Sequence, residues 1–137
     1  MPGGFMRQKY YSPTEVGMVL QDIDTAADGT YVDCWGYNRV TLYCFHDYAA
    51  ATGVELYLQV KDDTDTDHYV TVQTDEGSGV YTLDKWKMQY TTGADAYWEA
   101  YVERINAKYI RVADALGQGS PSGDKLTVSI LLAYAGD

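Results

Sequence analysis

Lys125-Leu-Thr-Val-Ser-Ile-Leu-Leu-Ala-Tyr134 decides the fold class of this chain. Leu126, Val128, Ile130 and Leu132 recur at every second residue, the period of a strand with one buried face. Thr127 and Ser129 fall on the opposite, solvated face, but Leu131 and Ala133 continue that face with apolar groups. Such a change marks a strand whose outer face meets something other than water.

The same period recurs upstream. Arg39–His46 alternates Val40, Leu42 and Cys44 with Thr41, Tyr43 and Phe45. Val54–Lys61 places Val54, Leu56, Leu58 and Val60 inward, with Glu55, Tyr57, Gln59 and Lys61 outward. Val16–Leu20, Thr30–Trp35, His68–Thr74 and Val80–Lys87 are further strand candidates, the last two joined through Glu76-Gly-Ser-Gly79. Short strands separated by turn signals indicate a sandwich or barrel, and connections this brief favour antiparallel neighbours. The expected fold is an all-β, antiparallel, jelly-roll-like β-sandwich over residues 14–137. Residues 1–13, punctuated by Pro2, Gly3, Gly4 and Pro13, read as an extended N-terminal arm. On that reading, removing Met1–Ser12 leaves the melting temperature nearly unchanged.

One segment carries two readings. Across 94–116, Trp98, Tyr101, Val102, Ile105, Tyr109, Val112 and Leu116 fall near helical spacing, and Gly117 would stop a helix. This is the α+β alternative, with one helix. The strand reading aligns Trp98, Ala100 and Val102 on one face, turns at Asn106-Ala107-Lys108 and resumes at Tyr109-Ile-Arg-Val112. We favour two strands, because Tyr109–Val112 and the final strand flank the turn-rich loop Gly117-Gln-Gly-Ser-Pro-Ser-Gly-Asp124.

With 137 residues the chain is one domain able to bury a substantial core. A formal charge of −10 opposes nucleic-acid phosphates and anionic membranes, so neither is an expected partner. No apolar stretch has membrane-spanning length and the start does not read as a signal peptide, so synthesis in a cytoplasm is expected. Fourteen tyrosines stand against two phenylalanines. Tyrosine covers apolar surface while offering a hydroxyl, which suits contact with protein or carbohydrate as well as sheet formation. If Tyr31–Trp35 and Arg39–His46 form a hairpin, Cys34 and Cys44 lie roughly 13 Å apart, beyond disulfide reach. Two free thiols are expected.

Catalytic and metal motifs are sparse. Asp63, Asp65 and Asp67 alternate as calcium ligands would, but the sixth position from Asp63 is His68 and the twelfth is Thr74. Lacking the glycine turn and the bidentate glutamate, the run reads better as an acidic hairpin tip. His46 and His68 have no zinc spacing around them, Ser78, Ser120 and Ser122 sit in turns, and no phosphate loop is present. Glu99 and Glu103 could pair as glycosidase carboxylates only in a cleft that so small a domain has little material to build. No enzyme activity and no cofactor are expected. Trp35, Trp86 and Trp98 lie in or beside predicted strands, where a core position is expected and a sugar-stacking platform is the rival. Phe5, Tyr10 and Tyr11 in the arm, with outward Leu131 and Ala133, are the expected interface residues.

Tyr109-Ile-Arg-Val112, the Gly/Ser/Pro loop and the Leu126–Leu132 strand resemble the C-terminal half of small bacteriophage virion β-sandwich proteins, the capsid decoration or cement proteins and related accessory subunits. The likeness covers roughly the last third of the chain. It implies a non-enzymatic virion protein that stabilises a shell by binding the major capsid protein or other virion subunits, as a homo-oligomer with a trimer among the options. A carbohydrate-binding β-sandwich module and a tail or baseplate component are the alternatives.

Overall fold

A computed structural model describes residues 6–62, 68–69, 71–75, 81–85, 87–91, 93–103 and 105–135. The elements in chain order are β1 (Met6–Tyr11), the single helical turn α1 (Pro13–Val16), β2 (Val19–Leu20), β3 (Val32–Asp33), β4 (Arg39–Asp47), β5 (Ala51–Lys61), β6 (His68–Tyr69), β7 (Thr71–Asp75), β8 (Tyr81–Lys85), β9 (Lys87–Thr91), β10 (Ala96–Glu103), β11 (Tyr109–Gly119) and β12 (Lys125–Ala135). The first sheet runs β1-β12-β4-β10, with β2 also on β12; the second runs β3-β11-β5-β6, with β9 also on β5. A separate β7-β8 ribbon completes the described strands. If β6 and β9 share one place along β5, the sheets follow the wrapped strand order of a jelly roll, and the expected all-β sandwich is what forms.

The inward residues of the alternating runs make the core. Val40, Leu42 and Cys44 of β4 and Leu126, Val128, Ile130 and Leu132 of β12 join Val54, Leu56 and Leu58 of β5 and Ile110 and Val112 of β11 in one buried cluster. Each fully buried aliphatic side chain contributes about 1.5–3 kcal/mol, so period-two burial dominates any local preference. That decides the 94–116 segment. Trp98, Ala100 and Val102 pair opposite Cys44, Leu42 and Val40, and two strands replace the helical alternative despite its alanines and glutamates. Gly117 is a residue of β11 and not a helix stop.

Local chemistry explains the remaining departures. Ser12 and Glu15 form a reciprocal capping box, so residues 13–16 make a helical turn that takes Val16 from the expected strand Val16–Leu20, and only Val19–Leu20 pairs. Gly17 at φ 72° ends that turn. Tyr31–Trp35 and Arg39–His46 do not form a hairpin: β3 pairs with β11 in one sheet and β4 with β12 and β10 in the other. In β11 the register slips between Ala113 and Leu116, where Asp114 adopts φ 51° and donates its N–H to Asp28 Oδ1 at 2.9 Å.

The expected arm needs correction. Residues 6–11 are not free: β1 pairs with β12 from Met6↔Ala135 to Tyr11↔Ile130. Tyr11 is 9% exposed and its hydroxyl donates to the Asp33 carbonyl at 2.8 Å, tying the first sheet to β3 of the second. The cause is the open edge of β12, whose backbone groups need a partner strand. Phe5 lies outside the described residues. Deleting residues 1–11 is therefore expected to lower stability by about 3 kcal/mol, from the lost Tyr11 burial and hydrogen bond. An unchanged urea midpoint would show that β1 is dispensable.

Cys34 and Cys44 are free, as expected, and buried; Cys34 follows β3 and Cys44 lies in β4, so no hairpin links them. Burial pushes the Cys34 thiol up to about 12 and the Cys44 thiol higher still. A colorimetric thiol reagent is expected to find no fast-reacting group in the native protein at pH 8 and two after denaturation.

Candidate functional site

Register determines what the first sheet shows to its surroundings. Opposite the core face, Phe45, Tyr43 and Thr41 of β4 pair with Tyr97, Glu99 and Tyr101 of β10 on one side and Thr127, Ser129 and Leu131 of β12 on the other. Leu131 in turn pairs with Tyr10 of β1, and Thr127 with Val19 of β2. The result is one continuous outward face. Tyr97 is 83% exposed and Tyr10 56%, and Tyr43, Tyr101 and Val19 are exposed with them. Phe45 and Tyr97 stack with ring centroids 4.4 Å apart.

The second sheet's outer face is built differently. Arg111 Nε donates to Gln59 Oε1 at 2.9 Å, Arg111 lies 3.6 Å from Asp28, and Tyr31 carries Arg111 and Lys61 over its ring at 4.7 and 4.4 Å. Charged and polar groups there satisfy one another, whereas the first sheet leaves aromatic area uncovered. A single exposed apolar residue is ordinary; a contiguous group across several strands marks a contact surface.

The expected interface residues divide accordingly. Tyr10 and Leu131 lie side by side on this face, with Leu131 half-buried. Ala133 is nearly covered at the end of the same row, and Tyr11 points into the core, so neither offers much contact area. Tyr43, Phe45, Tyr97, Tyr101 and Val19 were missed as site residues. The alternation already read in β4, continued through β10, is the signal that would have found them.

The strongest polar cluster is buried. Both oxygens of Asp124 accept hydrogen bonds: His46 Nε2 at 2.8 Å and the backbone N–H groups of Ala49, Ala50 and Ala51 at 2.9–3.1 Å, with that of Ser122 at 3.2 Å. His46 and Asp124 are both fully buried. Burial opposes ionisation, but the donated N–H groups of Ala49 and Ala50, then His46 and Ala51, outweigh it and hold the carboxyl well below the usual carboxylate range. The pair resembles an acid–base dyad only in composition: its carboxylate caps backbone groups. Tyr90 and Trp98, with centroids 4.4 Å apart, close the core beside it, and burial pushes the Tyr90 hydroxyl up to about 12. Glu99 lies on the outward face beside Tyr43 and Tyr97, where these three with Cys44 and Trp98 line a hollow of about 220 Å³. Asp63, Asp65, Asp67 and Trp86 lie outside the described residues. Among the described residues no acidic, histidine or cysteine group forms a metal cluster.

Trp35 departs from the expected core position. Cys34 takes the inward place, Gly36 turns the chain at φ 88°, and the indole is left 63% exposed at one end of the sandwich. A cleft of about 250 Å³ lined by Asp33, Trp35, Lys108 and Tyr109 lies to one side. Another of about 400 Å³, walled by Tyr37, Ile105, Asn106 and Tyr134, also has Trp35 in its lining.

No protein-family model and no curated protein matches the sequence. Among solved structures, the crystal structure of the SPBc2 prophage-derived protein YomS is similar, with a TM-score of 0.54 and 11% identity over 95% of this chain and 96% of that one. The likeness is one of fold.

Asp124→Asn is expected to destabilise the protein by about 3–5 kcal/mol, because an amide places a donor against backbone donors in a buried site. Since folding depresses this carboxyl, its contribution is complete above the ordinary carboxylate range and is lost as pH falls through the folded value. Urea midpoints of wild type and variant should therefore differ fully at pH 7 and converge in strong acid. A constant difference down to pH 2 would refute the assignment.

Proposed function

We propose that this chain is a non-enzymatic structural protein of a phage particle. In the specific form, it is a capsid decoration protein that binds neighbouring virion subunits through the outer face of the first sheet. The observation that carries this reading is the uncovered group Tyr10, Val19, Tyr43, Tyr97 and Tyr101 on one sheet face, against a self-satisfied polar network on the other. Aromatic residues enriched in a flat patch are what protein interfaces use, since they bury large area with little rotamer entropy. The fold shared with a prophage-derived protein supports a phage setting.

The formal charge of −10 agrees with a protein that contacts protein and leaves packaged nucleic acid alone. Assembly into a homo-oligomer, such as a trimer, is compatible with this patch and adds a second use for it.

A mass-spectrometric inventory of purified particles of the encoding phage is expected to contain the chain. The double variant Tyr43→Asp/Tyr97→Asp is expected to be retained on particles at least about tenfold more weakly, as loss of two interface aromatics implies. Its melting temperature should fall by no more than about 5 °C, because both side chains are at the surface and only the Phe45–Tyr97 stacking and the place opposite Glu99 are disturbed. Particles lacking the chain, or a variant that co-sediments like wild type, would overturn the proposal.

A further inference from the structure

The geometry points to a second binding site, at the end of the sandwich around Trp35, for a neutral saccharide. It stands on observations separate from the outer sheet face, and either assignment can fail without the other.

An exposed tryptophan could be incidental, but this one is held in place from several directions. Asp33 Oδ1 accepts the Trp35 backbone N–H at 2.9 Å. Arg7 donates to the Gly36 carbonyl and lies over the rings of Tyr37 and Tyr134 at 5.2 and 5.5 Å. The Asn38 side chain clasps the Ala135 backbone in both directions, at 3.3 and 3.2 Å. These contacts order the turn that presents the indole while leaving the indole itself in solvent. Such pre-organisation lowers the entropic cost of binding.

The surroundings select the ligand. Trp35 stands between two clefts that share no other lining residue, and the larger, about 400 Å³, is of a size that receives small ligands. Tyr37 and Tyr134 provide aromatic wall in the larger cleft and Tyr109 in the smaller. Polar groups flank the ring: Lys108 holds its Nζ over the Trp35 ring, 5.7 Å from the centre, Asp33 lines the same cleft, and exposed Asn106 lines the other, so the ring face away from Lys108 is the one offered to a ligand. A pyranose has the complementary character, with an apolar C–H face for the indole and a rim of hydroxyls for carboxylate, ammonium and amide. Phosphorylated ligands are opposed by Asp33 and by the formal charge of −10. A proline-rich peptide needs one continuous aromatic groove, and here the projecting ring divides the surface in two.

The test uses the full chain and defined sugars. Saturation-transfer NMR with glucose, galactose, mannose and N-acetylglucosamine, followed by an array of neutral and anionic glycans, is expected to show binding of neutral saccharides. Trp35→Ala should weaken that binding about tenfold or more, the scale of losing one stacked ring. Asn106→Lys, which intrudes on the larger cleft from an exposed position, should weaken it as well and serves if the first variant folds poorly. The Tyr43→Asp/Tyr97→Asp variant should bind sugar like wild type. Any of four results would overturn the assignment: no saccharide bound, wild-type binding by both cleft variants, binding of anionic glycans alone, or a response to a proline-rich peptide with none to sugars.

Discussion

A single carboxylate ties together two of the connections that cross between the sheets. β4 passes into β5 through residues 48–50, and β11 passes into β12 through residues 120–124; each connection crosses from one sheet to the other. Asp124 sits in the second and accepts the backbone N–H groups of Ala49, Ala50 and Ala51 from the first. Without it the Ala51 N–H would be buried unpaired, at a cost of about 1–3 kcal/mol, while those of the exposed Ala49 and Ala50 would turn to water. Gly123, at φ 76°, supplies the backbone turn that brings the carboxylate there. His46, from the end of β4, completes the arrangement by binding the same carboxylate from the core side.

With the corner fixed, the register of β4 against β12 and β10 follows, and register determines the surface. A slip of one residue would exchange Val40, Leu42 and Cys44 for Thr41, Tyr43 and Phe45 on the buried side. The core therefore specifies the aromatic face indirectly, by leaving Tyr43, Phe45, Tyr97 and Tyr101 no inward position. The second sheet obeys the same alternation, but Gln59, Lys61 and Arg111 stand at its outward positions and engage one another and Tyr31. One architecture thus yields two chemically different exteriors.

Period-two burial made β4, β5 and β12 legible in the sequence, but only the start of β11, Tyr109–Val112: the slip after Ala113 breaks the alternation, and Gly117–Gly119, expected in a loop, belong to the strand. It also favoured strands across 94–116 over a helix. What remained illegible depended on partners distant in the chain. Met6–Tyr11 has no apolar alternation of its own and becomes a strand because β12 offers an edge. Ser12 and Glu15 carry a capping-box spacing, yet the helical turn went unread, and its last residue, Val16, was joined to the apolar run Val16–Leu20. Asp124 looked like one more turn residue, since its donors lie some seventy positions away. Leu131 was read as outward and Tyr10 as part of an arm, but the larger share of the exposed face came from β4, whose outward residues had been noted, and from β10, whose outward residues had not. Trp35 went astray because sequence counts a tryptophan as core wherever strands are near.

The sealed thiols have a consequence for where such a molecule can operate. Nothing in its architecture is fastened by sulfur chemistry, and Cys34 and Cys44 are too deeply set to be recruited for cross-linking or oxidation. The described fold rests on packing, hydrogen bonds and charge contacts, none of which senses electron supply. It would keep the same shape in a glutathione-rich interior and in aerated medium.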